Sequence, residues 1–320
     1  MNTKTLNSAF IAAVKASLPS GTHLSNAVTD ILGLGKEAAY RRLRSEVPFT
    51  FEEAAMIARE LGISLDRLAV GESDKMAIFD LHVMRHEDPM ETYYRAMSEL
   101  LHYYKSVKGD PDVEWYTASN VVPHCFYMDH DYLSRFLLFK WMYQQVYAYN
   151  FKYFRDLVVP EKIRDMQLDY IETTKSLASA TFIWDEMMFV SLLNELRYFC
   201  HINLITDKEK EVIKAELHSM IDILEDLAGK GHHENGCRVF FYVSSINFEA
   251  SYSYLTSSTV KLSSIRLYSI NTISTTDRHV FEHQQGWIQS LKKYSTLISV
   301  SGEMQRVQFL KKQRAYINDL

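Results

Sequence analysis

The sequence predicts two folded parts: a mainly α N-terminal domain of five short helices, and a larger helix-dominated α+β domain with an antiparallel sheet. First, the 320 residues are 47% hydrophobic and include only 11 glycines and 6 prolines, which excludes a disordered or collagen-like chain. Second, apolar residues recur at helical spacing through residues 1–70, whereas β-branched and serine-alternating runs begin near residue 238. Third, a short polar stretch at 71–76 separates residues 1–70 from residues 77–320.

The first two helices are bounded by helix breakers. Apolar residues at helical spacing predict the first helix over 6–18, and a Pro-Ser-Gly run at 19–21 closes it. The second helix begins after Thr22, which is a suitable N-cap, and carries an apolar stripe as far as Leu32. Gly33 ends it.

A third helix over 36–44 follows almost at once, at the spacing of a helix-turn-helix unit. Its inward residues are Ala39 and Leu43, and its outward residues are Lys36, Glu37, Tyr40, Arg41 and Arg44.

Two further helices complete the domain. The fourth opens with a capping box, Thr50 with Glu53, and ends at Gly62. Ser64 caps a short fifth helix that runs to Leu68. Five helices within about 65 residues leave room only for tight turns, so we expect a compact bundle.

Positive charge is concentrated in the third helix. Residues 36–44 contain four basic side chains and one acidic side chain, whereas nine basic and nine acidic residues cancel over 1–75. The formal net charge of the whole chain is −5 at pH 7, so any nucleic-acid site must be local. A helix of about nine residues fits the major groove of DNA, where its first turns reach base edges.

This module resembles the helix-turn-helix domain of phage-repressor and Cro-type (XRE-like) regulators. The resemblance lies in LSNAVTDILGLGKEAAYRRL and FTFEEAAMIARELGISLDRL, within residues 6–70, and rests on the Gly33 turn, Leu34, Ala39 and Leu43. Thr29 departs from the pattern, because that family often has alanine there. The resemblance implies a five-helix, lambda-repressor-like fold in which the second and third helices form the DNA-reading unit.

Eight residues are the candidate DNA contacts. Base readout is assigned to Lys36, Glu37, Tyr40 and Arg41, and phosphate contact to Arg42, Arg44 and the start of the second helix with the hydroxyls of Thr22 and Ser25. The alternative interpretation is a helical bundle with a solvated basic face, as in many protein-interaction modules.

In the larger domain, periodicity predicts helices first and a sheet later. The predicted helices span 90–107, 132–147, 160–177, 186–201, 209–227, 279–293 and 303–317. Three antiparallel strands are predicted at RVFFYVS, NFEASYSYL and TVKLSSIRLYSI, with shorter strands at 77–83 and 113–117. This domain carries the entire net charge of −5, which makes it a poor surface for wrapping DNA.

Aromatic residues are concentrated between Tyr93 and Phe154, where 18 of the chain's 41 lie. Because a buried tyrosine needs a polar partner, three interpretations remain open: a tyrosine-rich core, a small-molecule pocket, and a subunit interface.

The other polar clusters have structural interpretations that are simpler than metal binding or catalysis. GKGHHENGC, with His232, His233, Glu234 and Cys237, has zinc-binding residue types, but adjacent histidines do not easily share one ion, and a solvated turn is the simpler interpretation. Near His124 and Cys125, either Asp129 or Asp131 is better explained as an N-cap than as a catalytic acid. The last helix carries Arg306, Lys311, Lys312 and Arg314, as a solvated face or an auxiliary DNA contact.

The three cysteines lack CxxC spacing and indicate a reducing compartment. No segment has the apolar length of a signal peptide or a membrane span, so we expect a cytoplasmic protein without a membrane partner. The common nucleotide-binding, hydrolase and metallopeptidase motifs do not occur, and we expect no catalytic residue, metal or cofactor.

Together these patterns predict a sequence-specific DNA-binding transcriptional regulator whose helix 36–44 enters the major groove of double-stranded DNA. A homodimer is expected, because two recognition helices about 34 Å apart lengthen the site that is read. The larger domain is expected to dimerise, to sense a small-molecule effector, or both. Two alternatives remain open: a DNA-associated enzyme, and an antitoxin-type or phage-exclusion-type interaction module.

Overall fold

The computed structural model describes residues 3–19, 21–70, 76–82, 88–144, 151–267 and 270–320. The chain divides into two compact units, Met1–Ile78 and Phe79–Leu320. No helix within the described ranges is long and apolar enough to cross a lipid bilayer. Parts of five predicted segments lie outside the described residues: Ser20 of the run that closes the first helix, 71–75 of the polar stretch, Val83 of a strand, 145–147 of a helix and 268–269 of another strand.

Five helices lie in the described part of the small unit. They are α1 (Thr3–Ser17), α2 (Leu24–Leu32), α3 (Lys36–Leu43), α4 (Phe51–Leu61) and α5 (Leu65–Val70). Their inward side chains form one apolar core, in which Val28, Ala39 and Ile57 are fully buried. Because these three residues lie on α2, α3 and α4, that core fixes which face of each helix points to solvent.

Of two N-caps predicted in the small unit, the structure confirms that of α4 and replaces that of α2. The hydroxyl of Thr50 accepts a hydrogen bond from the Glu53 amide at 3.2 Å, and the Glu53 carboxylate accepts one from the Thr50 amide at 3.0 Å, which confirms the capping box. The predicted N-cap Thr22 of α2 is wrong. Its amide donates to the Pro19 carbonyl at 3.1 Å in the preceding turn, so that His23 becomes the N-cap, without a side-chain capping bond.

The large unit is a helix-rich α+β fold. Its described helices are α6 (Pro89–Ser106), α7 (Asp131–Tyr143), α8 (Glu161–Lys175), α9 (Met188–His201), α10 (Asp207–Lys230), α11 (Arg278–Leu291) and α12 (Glu303–Asn318). Its strands are β1 (Asp80–His82), β2 (Glu114–Ser119), β3 (Ser179–Asp185), β4 (Arg238–Ser244), β5 (Ser251–Thr256), β6 (Lys261–Arg266), β7 (Thr272–Thr275) and β8 (Ser295–Leu297).

The strands that the structure describes form one mixed sheet in the order β1-β7-β6-β5-β2-β3-β4-β8. The predicted antiparallel sheet is therefore wrong at its centre, where β2, β3 and β4 run parallel, while the other pairs are antiparallel. Parallel neighbours need long crossover connections, which α7 with α8 and α9 with α10 supply. β4 pairs with β3 and β8, so the three predicted strands are not consecutive neighbours.

Apolar side chains pack against parts of both faces of this sheet. On one face, α11 packs against β2, β5 and β6, and buries Phe281 and Ile288 against Tyr116 and Tyr254. On the other face, aromatic rings stack over the parallel strands, with ring centroids 4.6 Å apart for Trp184 and Phe241. That second core extends into α6, α7, α8, α9, α10 and α12.

The start of α7 also differs from the prediction that Asp129 or Asp131 caps it. The N-cap residue is His130, and a carboxylate from α10 supplies the acceptor: Glu216 accepts hydrogen bonds from the amides of Tyr132 at 3.1 Å and Leu133 at 2.7 Å. Asp129 is instead hydrogen-bonded to the His130 ring at 2.8 Å. An acceptor 84 residues away in the sequence satisfies these amides, so no local pattern indicates it.

Candidate nucleic-acid interface

The segment between α2 and α3 is a tight turn whose shape depends on glycine. Gly33 ends α2 with φ 63° and ψ 27°, in the left-handed region that glycine adopts without steric cost. α3 begins three residues later, at Lys36. Val28 on α2 and Ala39 on α3 are both fully buried. The side of α3 that bears Ala39 therefore faces the core, and the opposite side faces solvent.

Four exposed residues of α3 and its C-cap residue Arg44 form one surface, here called the α3 face: Lys36, Glu37, Tyr40, Arg41 and Arg44. These are the residues that the sequence places outward. The side chains of Arg41 and Arg44 are 55% and 57% exposed. A helix of this length, with long cationic and aromatic side chains on its free face, has the dimensions and chemistry of a major-groove reader.

The arginines of the α3 face are paired with nearby carboxylates. Arg44 lies 2.9 Å from Glu46 and 3.6 Å from Glu37, and Arg41 lies 3.7 Å from Glu46. Exposed pairs of this kind contribute about 0–1 kcal/mol each, so these guanidinium groups can exchange partners at small cost. Glu46 follows the helix in sequence, and the local charge excess predicted for residues 36–44 does not include it.

Arg42 differs from its neighbours on α3. Its side chain is only 17% exposed and makes a bidentate pair with Glu53, at 2.8 Å from Nε and 2.6 Å from Nη2, while Nη1 donates to the Ala38 carbonyl at 3.2 Å. The hydrogen bonds from Arg42 hold the pKa of Glu53 below its usual value, and Glu53 raises the pKa of Arg42. Arg42 thus joins α3 to the capping box of α4, whereas the sequence assigned it to a phosphate.

The start of α2 brings two predicted hydroxyls close to this surface. Thr22 is exposed, and the Ser25 hydroxyl donates to the Tyr40 hydroxyl at 3.4 Å, near the limit for a hydrogen bond. Neither His23 nor Gly35 caps its helix with a side-chain hydrogen bond. Helix N-termini in this state attract anions such as phosphate.

The other predicted polar clusters are engaged within the large unit. On α12, Lys312 pairs with Glu186 at 2.6 Å, Arg314 pairs with Asp222 and Glu225 at 2.7 and 2.6 Å, and Arg306 donates to the Ile298 carbonyl at 2.9 Å. These contacts favour a structural role over an auxiliary DNA contact.

The histidine-rich turn connects α10 to β4. His233 donates its amide to the Cys237 carbonyl at 2.9 Å, and Cys237 itself is buried. Within the described ranges, the structure brings together no group of three or more His, Cys, Asp or Glu side chains that could hold a metal ion.

The aromatic segment divides between two environments. Phe136, Phe139 and Phe154 are fully buried in the main core. Tyr93 and Tyr104 on α6 belong to that core and also line a cavity in the large unit. Tyr147 and Tyr149 lie outside the described residues. Core packing and a cavity wall therefore account for these five described side chains, whereas Tyr143 is 45% exposed.

Comparison of the chain with protein-family models, with curated proteins and with solved structures gave no match. The interpretation of the α3 face therefore depends on its own geometry and residues.

Proposed function

We propose that the chain is a sequence-specific DNA-binding transcriptional regulator in which α3 enters the major groove. The observation that carries the proposal is the two-sided character of α3: Ala39 is fully buried against the core, while Tyr40 and Arg41 project from the opposite side. With the Gly33 turn and α2, this is the arrangement that a helix-turn-helix protein uses to present one helix to DNA.

The roles follow from exposure and pairing. Lys36, Glu37, Tyr40 and Arg41 lie on the exposed side of α3 and are proposed to contact base edges. Arg44 is proposed to leave Glu46 for a phosphate, an exchange of one exposed ion pair for another.

We leave Arg42 out of the proposed contacts. Releasing its guanidinium would break a bidentate pair that is mostly shielded from solvent and that also supports the start of α4. Breaking such a pair costs more than exchanging an exposed one, because the remaining carboxylate loses its partner without full solvation.

One recognition helix reads only a few base pairs. We therefore propose a homodimer, with two α3 helices separated by about 34 Å on one side of the duplex. An effector that binds one arrangement of the subunits more tightly would then change operator affinity.

The test is binding to a duplex selected by the full chain from a random-sequence pool, measured by fluorescence anisotropy. Arg41→Ala should weaken binding by about 5- to 150-fold and relax preference at one position of the site. Arg59→Ala, an exposed arginine on α4 of the same unit, is the matched control and should leave binding unchanged. Equal losses from the two variants, or selection of no sequence, would overturn the proposal.

A variant that should raise affinity for DNA provides a second test. Glu46→Gln removes the carboxylate that neutralises Arg41 and Arg44, so affinity for the selected duplex should rise by about two- to fivefold. Affinity should also fall steeply with salt, because phosphate contacts release counterions. Unchanged affinity in Glu46→Gln would count against a DNA contact by these arginines.

A further inference from the structure

Four antiparallel strands of the large unit place hydroxyl groups side by side on one face of the sheet. Thr117 on β2 is in register with Ser253 on β5, Ser253 with Ser264 on β6, and Ser264 with Ser274 on β7. The next row of the same face continues from Ser251 to Arg266 and Thr272. Side chains in register across neighbouring strands point to the same face, so these rows form one polar surface.

This surface lines a cavity of about 70 Å³, here called the hydroxyl cavity. Its opposite wall includes Tyr93 and Tyr104 from α6, with His124 and Tyr170, and Trp115 lines the cavity from β2, on the same sheet face as Thr117. The cavity adjoins a cleft of about 440 Å³, and the two share Ser251, Arg266 and Ile270 as lining residues. Together they provide the space of a small-molecule site.

Several polar groups of this cavity lack partners within the described part of the chain. Thr117, Ser119 and Ser264 are 6%, 3% and 9% exposed, and their hydroxyls make no hydrogen bond there. The Nε1 of Trp115 and the Nε2 of His124 are themselves buried without a hydrogen-bond partner among the described residues. An unsatisfied buried donor or acceptor costs about 1–3 kcal/mol, so these two ring nitrogens, together with three hydroxyls that no described protein group satisfies, indicate a polar ligand.

Arg266 supplies the charge of the site. It is half-buried, it lies where the cavity meets the cleft, and no carboxylate of the described residues lies within 4.0 Å of its guanidinium. The other buried cation of the cleft, Lys140, is already paired with Glu195 at 2.7 Å. Exposed Glu249 also lines the cleft, which disfavours a ligand of high negative charge.

We propose that the hydroxyl cavity and the adjoining cleft form one binding site for a small polyhydroxylated organic anion. Its carboxylate or phosphate pairs with Arg266, because a guanidinium matches both groups in a bidentate geometry. Its hydroxyl groups bond to the serine and threonine rows, since a hydroxyl both donates and accepts. The site lies entirely in the large unit and does not depend on DNA binding by α3.

The experiment is isothermal titration calorimetry of the full chain with four probes: D-glucuronate, D-glucose 6-phosphate, D-glucose and benzoate. We expect at least one of the two anionic sugars to bind, and which one binds distinguishes a carboxylate ligand from a phosphate ligand. Neutral D-glucose should bind about tenfold more weakly or not at all, because it offers no partner to Arg266. Benzoate should not bind detectably, because it cannot satisfy the hydroxyl rows.

Two variants assign the binding to this site. Arg266→Gln should weaken binding of the anionic sugar about tenfold, and Lys261→Gln should not, because Lys261 lies on the same strand but lines neither the cavity nor the cleft. Ser264→Ala should weaken binding of the anionic sugar about threefold. This variant also tests the site if Arg266→Gln fails to fold.

Three outcomes would overturn the proposal: binding of neither anionic sugar, equal binding of benzoate, or equal affinity in Arg266→Gln, Ser264→Ala and Lys261→Gln. Arg41→Ala serves as a further control. It should bind the sugar normally while losing DNA, so failure of one proposal leaves the other intact.

Discussion

Two halves of one sheet face differ in chemistry. Over β3 and β4, Phe182 and Phe241 stack with ring centroids 5.4 Å apart. On the neighbouring strand β2, Thr117 is in register with Phe182. From Thr117 the row of hydroxyl side chains continues through Ser253 on β5 to Ser264 on β6. The apolar half stabilises the fold by burying rings, whereas the hydroxyl half buries polar groups at a cost in stability. A fold retains such a cost where the polar groups have a function, and substitutions in the two halves test that difference.

The largest effect is expected in the apolar half. Phe241→Ala removes a fully buried ring that contacts Phe182, Trp184 and Phe126, and should lower the free energy of unfolding by about 3–5 kcal/mol. Urea denaturation measures it. The neighbouring Phe240 is half-buried and points to the other face, so Phe240→Ala should cost clearly less. Equal losses of unfolding free energy in the two variants would show that the apolar half stabilises the fold no more than the opposite face of the sheet does.

The next effect is a pH dependence that arises at His124, which lines the hydroxyl cavity beside the hydroxyl half of the sheet. Burial, together with nearby Arg266, lowers the pKa of His124 well below 6.5, so the folded state keeps this ring neutral. Below pH 6.5 the unfolded state binds a proton that the folded state excludes. Acid therefore favours unfolding, by up to about 2 kcal/mol between pH 6.5 and 5 for this one group.

Denaturation at pH 5, 6 and 7 measures this dependence. Burial also lowers the pKa of His233, to about 4, so the wild type contains a second contribution of the same sign. The difference between wild type and His124→Gln isolates His124, and the variant should lose less stability on acidification. Parallel pH profiles for the two proteins would contradict the assignment.

Sequence patterns located most elements but not the sheet order. β3 has no predicted counterpart, because all seven of its residues are buried and a strand covered on both faces shows no period-two alternation. The alternating serines of β5 and β6 do predict strands, yet alternation alone indicates a face exposed to water. That the polar face instead lines a cavity depends on α6 and β2, which are distant in sequence.

The candidate DNA contacts show the same division. Periodicity places Ala39 inward and Arg41 outward, and the structure agrees. Periodicity cannot show that Arg42 pairs with Glu53, because the two residues are 11 positions apart on different helices. Local spacing thus predicts which side of a helix is exposed, while the partner of each charge depends on tertiary packing.

A smaller effect distinguishes two neighbouring serines of β6 that point to opposite faces. The Ser263 hydroxyl is buried on the face that α11 covers and has no partner among the described residues, so Ser263→Ala should raise stability by about 1 kcal/mol and leave sugar binding unchanged. Ser264 faces the hydroxyl cavity, so Ser264→Ala should change stability by less than about 0.5 kcal/mol but weaken binding. Identical behaviour of the two variants would remove the distinction between the faces.

The smallest effect extends the comparison to the small unit. Thr29 on α2 is half-buried, and in the described part of the chain its hydroxyl has no hydrogen-bond partner, as at Ser263. Thr29→Val replaces the hydroxyl with a methyl group of similar size at nearly equal helix propensity, so the small unit should gain about 0.5 kcal/mol. Denaturation of the full chain, followed by a tryptophan introduced in place of exposed Phe51, reports on this unit. Because Thr29 is not on the α3 face, affinity for the selected duplex should not change. A loss of stability would show that this hydroxyl is satisfied in solution, and a loss of DNA binding would show that Thr29 sets the position of α3.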